Sequence, residues 1–227
     1  MSCLKLPVVF INFKTYREST GKNALDLAKK AEAVSMQYGV SIVLVVQAID
    51  LREIANAVKI PVFAQHIDPV VYGSFTGHIL PEAVKDAGAI GTVLNHAENK
   101  RDNDFLQKAI SRAKDAGLNV MVCAESIERA KQIASFAQKP DLIAVEPPEL
   151  IGGNISVSTA QPGLISDSVK AIHAISNIPV IVGAGIKNSN DVRKSIELGS
   201  AGVFVASGII KAPDSKKAIE DLASGFK

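Results

Sequence analysis

Lys14, His96 and Glu146 are the residues of this chain best suited to moving protons next to a carbonyl group. A carboxylate takes a proton from carbon, an imidazole polarises and protonates oxygen, and a fixed cation stabilises the developing enediolate charge. Each stands at or just beyond the end of a short apolar run. Alone, each has a plainer reading: Lys14 as a surface cation, His96 as a structural imidazole, Glu146 as an ordinary strand-end carboxylate. Glu146 sits between Leu142-Ile143-Ala144-Val145 and Pro147-Pro148, a setting that desolvates a carboxylate and raises its pKa toward that of a useful base. Asn12, Gln47, Gln65, His66, Glu98 and Glu125 also follow apolar runs.

Three glycine-bearing segments suggest an anion site. Ile151-Gly152-Gly153 follows Glu146, Gly183-Ala184-Gly185 ends a seventh apolar run, and Ala206-Ser207-Gly208 ends an eighth. Small residues let backbone N–H groups approach a phosphate, and a helix N-terminus beyond adds partial positive charge. Any one of these glycines can equally serve a tight turn.

The elements that must position these groups are legible as alternation. Pro7–Asn12, Ser41–Gln47, Pro61–Gln65, Gly91–Asn95, Asn119–Ala124, Asp141–Glu146, Pro179–Gly183 and Gly202–Ala206 read as strands covered on both faces. Between them lie amphipathic stretches such as Ala24–Tyr38, Asp104–Ala116, Ile127–Phe136, Leu164–Ser176 and Asp191–Leu198, and Gly39, Gly88, Gly117 and Gly199 read as helix stops. Eight strand–helix units with no linker predict one domain over residues 1–227, an α/β fold of the (β/α)8 barrel type. An open doubly wound sheet is the competing arrangement, but no glycine-rich dinucleotide fingerprint follows the first strand. In a barrel, chemistry belongs at the carboxyl ends of the strands, where these polar residues stand.

Composition narrows the function classes. The 227 residues carry 25 basic and 23 acidic side chains, a net charge of +2 that gives no electrostatic reason to bind nucleic acid or an anionic membrane. No apolar stretch approaches the roughly 18 residues of a membrane span, and the N-terminus shows no cleavage-site pattern. Cys3 and Cys123 are too few for a disulfide framework or a metal site and read as reduced thiols of a cytoplasmic protein. No metal or organic cofactor signature is present.

Four segments resemble one family in order and spacing along essentially the whole chain. Asn12-Phe13-Lys14 resembles the opening signature of the triosephosphate isomerases, and Tyr72-Gly73-Ser74-Phe75-Thr76-Gly77 is similar to their interdigitating subunit loop. Asn95-His96-Ala97-Glu98-Asn99-Lys100-Arg101 is similar to their histidine segment, and Ala144–Gly152 to their catalytic glutamate and lid. The short length matches the compact archaeal form of the family.

The resemblance implies an isomerase that interconverts dihydroxyacetone phosphate and D-glyceraldehyde 3-phosphate through an enediolate, in glycolysis and gluconeogenesis, without a cofactor. It makes Glu146 the base, gives the substrate oxygens to His96 and the anionic substrate to Lys14, and has Glu98 pair with Lys14 or accept from substrate hydroxyls. Asn12 and Phe13 join the substrate site, while Ile151, Gly152, Gly185, Ala206 and Ser207 offer backbone groups to the phosphate. A short helix beginning in Ala97–Arg101 would hold His96 neutral. Phe75 and Thr76 would enter a neighbouring subunit, giving a homotetramer, with a dimer as the alternative. The chain departs from larger members in having no aromatic after Pro148, no serine in Val182-Gly183-Ala184-Gly185, and His78 after Thr76-Gly77. Two rival readings of the residues are a lyase using Lys14 as a Schiff base and a catalytically silent barrel that only binds phosphosugars or a protein partner.

Overall fold

In the computed structural model, which describes residues 4–146 and 162–227, the Val- and Ile-rich runs pair side by side in chain order and close on themselves. The strands are β1 (Val8–Asn12), β2 (Ser41–Val46), β3 (Val62–Ala64), β4 (Gly91–Leu94), β5 (Asn119–Ala124), β6 (Leu142–Val145), β7 (Val180–Val182) and β8 (Gly202–Val205). All neighbours are parallel, and β1 meets β8 to complete an eight-stranded barrel. Each strand falls within one residue of its expected ends. The trimmed residues are mostly the polar or proline ends, such as Gln47, Asn95 and Pro179, where ladder bonding stops.

The alternation of side chains in a strand sorts each run into two cores. Val8, Phe10, Val43, Val45, Phe63, Met121, Cys123, Ala144 and Phe204 fill the inside of the barrel. There Phe10 meets the rings of Phe63 and Phe204 edge-on, with centroids 5.4 and 6.3 Å apart. The intervening residues, Val9, Ile11, Ile42 and Leu44 among them, face outward and pack beneath the helices.

The surrounding helices are α1 (Lys22–Tyr38), α2 (Leu51–Ala57), α3 (Pro81–Asp86), α4 (Asn103–Asp115), α5 (Ile127–Ala134), α6 (Pro162–His173), α7 (Ser189–Glu197), the short α8 (Ser207–Ile210) and α9 (Ser215–Ser224). Four begin at a side-chain cap: Asp102, Ser126, Asn188 and Asp214 each accept from the amide three residues on. Gly39 closes α1 in the left-handed region at φ +68°, its amide donating to Ser35 O at 2.9 Å. No helix of the described residues is long and apolar enough to cross a membrane.

The parity that fills the barrel also builds its mouth. Two positions beyond the last inward apolar residue stand Asn12 after Phe10, Gln65 after Phe63, Asn95 after Val93, and Glu146 after Ala144. Inward-facing positions at the carboxyl ends of parallel strands therefore carry the polar groups.

Candidate active site

Asn12, Lys14, His96, Glu98, Glu146, Gly185, Ala206 and Ser207, expected from sequence to serve one site, line one cavity of roughly 530 Å³ at the carboxyl end of the barrel. Phe13 does not join them. Being of opposite parity to Asn12, its ring turns outward and is fully buried between barrel and helices, so its part is structural. Ile151 and Gly152 lie outside the described residues, as do Cys3 and the rest of the expected lid.

Lys14 is aimed by its backbone. It sits at φ +47°, in the left-handed region that costs a non-glycine residue about 1 to 3 kcal/mol. Its amide donates to Asn12 Oδ1 at 3.0 Å, and its carbonyl accepts from Gln65 Nε2 at 2.9 Å. These two bonds hold the strained turn, so Asn12 acts at least partly through Lys14. The ammonium meets Glu98 Oε1 at 2.6 Å, with the lysine side chain mostly covered and the glutamate largely exposed.

His96 follows a second left-handed residue, Asn95, at φ +60°. No helix begins in Ala97–Arg101; the segment is a turn, and α4 starts only at Asn103. A single turn amide does the work assigned to the helix: Glu98 N–H donates to His96 Nδ1 at 3.2 Å. Nδ1 therefore carries the lone pair, and the proton of the neutral ring is on Nε2. Burial lowers the imidazole pKa below its ordinary value, and the Lys14 charge lowers it further, so the ring is neutral at physiological pH.

Glu146 closes the site. Its side chain is buried, and Oε1 lies 3.7 Å from His96 Nε2. Loss of solvent pushes its pKa up to about 7, the neighbouring Cys123 thiol and the Lys14 charge pull the other way, and Glu98 adds to the rise. Oε2 is buried and has no hydrogen-bond partner. A buried acceptor left bare is costly in a resting protein and is common where a substrate will complete the bonding.

The opposite wall is backbone and small side chains. Gly185 has φ +71°, and Ala206, Ser207 and Gly208, at the start of the short α8, line the cavity. Sequence reasoning did not single out Tyr16, Phe204 and Lys187 as lining residues. Phe204 was readable from parity, standing two positions before Ala206. Lys187 was readable as the first charged residue after β7, and Tyr16 only from the course of the loop after β1. Among the described residues, no three His, Cys, Asp or Glu side chains converge as a metal cluster would.

Comparison with known proteins identifies the family. The family described as triosephosphate isomerase matches residues 7–222. The chain is 46% identical over 217 residues to the triosephosphate isomerase of Methanothermus fervidus, covering 95% of this chain and 97% of that one. The protein of that name from Methanobacterium bryantii is 48% identical over 219 residues, covering 96% of each chain. The crystal structure of triosephosphate isomerase from Bartonella henselae superposes with a TM-score of 0.75, covering 97% of this chain and 98% of that chain; at 16% identity it speaks to the fold alone. With close relatives matched nearly end to end and the barrel closed in the same way, the chain belongs to the triosephosphate isomerase family.

Proposed function

We propose that this protein interconverts dihydroxyacetone phosphate and D-glyceraldehyde 3-phosphate with Glu146 as base, His96 as electrophile and Lys14 as the fixed cation. The observation that carries this reading is the buried Glu146 carboxyl, with a pKa of about 7 and one bare oxygen, facing the Nε2 edge of a neutral imidazole. Glu146 takes the proton from the substrate carbon next to the carbonyl. His96 Nε2–H donates to the carbonyl oxygen as negative charge gathers there, and Lys14 stabilises the enediolate. The former carbonyl oxygen keeps the proton given by His96, and the neighbouring hydroxyl gives its own proton back to His96 Nε2. Return of the proton from Glu146 to the adjacent carbon leaves the new carbonyl, with no change in atoms or oxidation level overall. The ion pair to Glu98 fits Lys14 for a standing charge and speaks against its use as a Schiff-base nucleophile.

The phosphate rests on Gly185, Ala206 and Ser207 in this reading, supported by their positions on one wall of the cavity and by the N-terminus of α8. Asn12 contacts substrate and holds Lys14. The single domain spans residues 1–227, supported by the family match over residues 7–222. A cytoplasmic homotetramer built through Phe75 and Thr76 is the assembly proposed, with activity in glycolysis and gluconeogenesis. Residues 71–78 stand exposed, and Val71, Tyr72 and Phe75 show 52%, 71% and 42% of their surfaces to solvent, an apolar display that association would cover.

The test is a coupled assay of purified protein on D-glyceraldehyde 3-phosphate, with Glu146→Gln beside the wild type. Turnover should fall by about 10² to 10⁴ in the variant, the usual contribution of a general base. Near-native turnover in Glu146→Gln would remove Glu146 from the mechanism.

A further inference from the structure

We propose that Asn95 is a positioning residue that aims the His96 imidazole across the barrel mouth; this deepens, and rests on, the role given to His96 above. Asn95 does not line the cavity and is buried, with 4% of its surface exposed. Its φ of +60° turns the chain sharply out of β4, and among residues with a side chain asparagine is one of the few that tolerates this region well.

Both ends of its amide are engaged. Nδ2 donates to Cys123 O on β5 at 2.8 Å, and Oδ1 accepts from the Arg101 amide at 2.8 Å. The first bond fastens the residue before His96 to a strand that pairs with β6, which leads into Glu146. The second pins the far end of the His96 segment to its near end. Within the loop so closed, the Asn99 amide donates to His96 O at 2.7 Å and Glu98 N–H meets His96 Nδ1 at 3.2 Å. The bond that leaves the proton on Nε2 therefore depends on a loop whose two ends are held by one side chain. The groups facing the ring, Lys14, Glu98 and Glu146, are fixed from other strands or from this same turn, so a small rotation of the segment changes its relation to Glu146.

A glycine at this position satisfies the φ angle and makes neither bond, which separates backbone tolerance from side-chain clamping. The experiment uses the full chain as wild type, Asn95→Gly and His96→Gln. In Asn95→Gly, kcat should fall about tenfold to about a hundredfold, the scale of loss from a misplaced catalytic group, with KM nearly unchanged. Imidazole ¹⁵N NMR should show that the His96 proton no longer resides on Nε2 alone. A folded Asn95→Gly with wild-type kcat and unchanged His96 ring shifts, beside a His96→Gln that has lost activity, overturns the inference. Wild-type turnover in His96→Gln would instead overturn the role of His96 on which it rests. Should Asn95→Gly not fold, Asn95→Asp keeps the left-handed preference and the acceptor for Arg101 but loses the donor to Cys123 O. A drop in its kcat with altered ring shifts supports the inference, and neither change overturns it.

Discussion

Gly183, just past β7, leaves the space that Glu146, just past β6, occupies: a Cβ at Gly183 would lie 2.2 Å from Glu146 Cγ and 2.9 Å from Oε1. The glycine reads from sequence as part of a phosphate turn, yet its first task is to let the carboxylate lie flat across the barrel mouth. Any side chain there must displace the carboxyl from His96.

Gly183→Ala should therefore act on catalysis more than on folding. Overpacking a tight site costs about 1 to 3 kcal/mol, and a displaced base lowers kcat by about 10². Chemical denaturation beside steady-state kinetics checks both; unchanged kcat would mean that Glu146 does not need this space.

Glu146 also links stability to pH. Its carboxyl moves from an ordinary 4.5 to about 7 on folding, so the native state favours the protonated form. This contribution is fully present below pH 4.5 and is lost as pH rises through about 7, amounting to as much as about 3 kcal/mol. Glu146→Gln, which stays neutral, should gain stability relative to wild type across that window and hold the gain above it. Parallel denaturation curves at pH 4 and pH 8 would sink the assignment if the difference between the two proteins does not change.

Lys14→Met removes the charge beside the reacting oxygen. The loss in kcat/KM should be about 10² to 10³, the scale of one electrostatic donor to a developing oxyanion. Because the Lys14 charge helps depress the His96 pKa, the same variant should show a His96 that titrates higher in an NMR pH series.

Phe75→Glu places a charge on the exposed apolar loop at residues 71–78. If that loop is a subunit contact, the variant should sediment at lower mass and unfold at lower temperature, with a Tm that no longer rises with protein concentration. Identical sedimentation of variant and wild type would place the contact elsewhere.

Cys123 is fully buried, and burial drives its thiol pKa well above the ordinary value. Disulfide reagents should modify it only as fast as the protein opens, whereas an exposed thiolate reacts in seconds. Mass mapping after timed exposure distinguishes the two.

The fold was legible because its signals are local. Apolar runs gave all eight strands to within a residue, and the glycines at 39, 88, 117 and 199 all adopt positive φ at the expected helix ends. The chemistry of Lys14 and Glu146 was legible because strand parity sends those positions to one mouth, whereas His96, of the outward parity, reaches it through the left-handed turn at Asn95. Three things were hidden. Lys14 and Asn95 give no sign of a left-handed backbone, since neither is glycine and the bonds with Gln65 and Cys123 that help hold them join residues distant in sequence. The turn at Ala97–Arg101 has no helix because its amides are committed to His96 and Asn95. Phe13 was grouped with its neighbours by motif, though its parity sends it to the other face.

The seam of the barrel joins the first strand to the last, with Val8 paired to Gly202 and the Val8 amide donating to Ala201 O at 3.2 Å. A chain emerging from the ribosome has completed β1 long before its second partner exists. Until residues 202–205 appear, the nascent protein holds an open sheet edge, the form most prone to pair with a neighbouring chain. A fragment ending before Gly202 should therefore self-associate where the full chain does not, and light scattering of the two at equal concentration would reveal whether closure of this seam protects newly made protein.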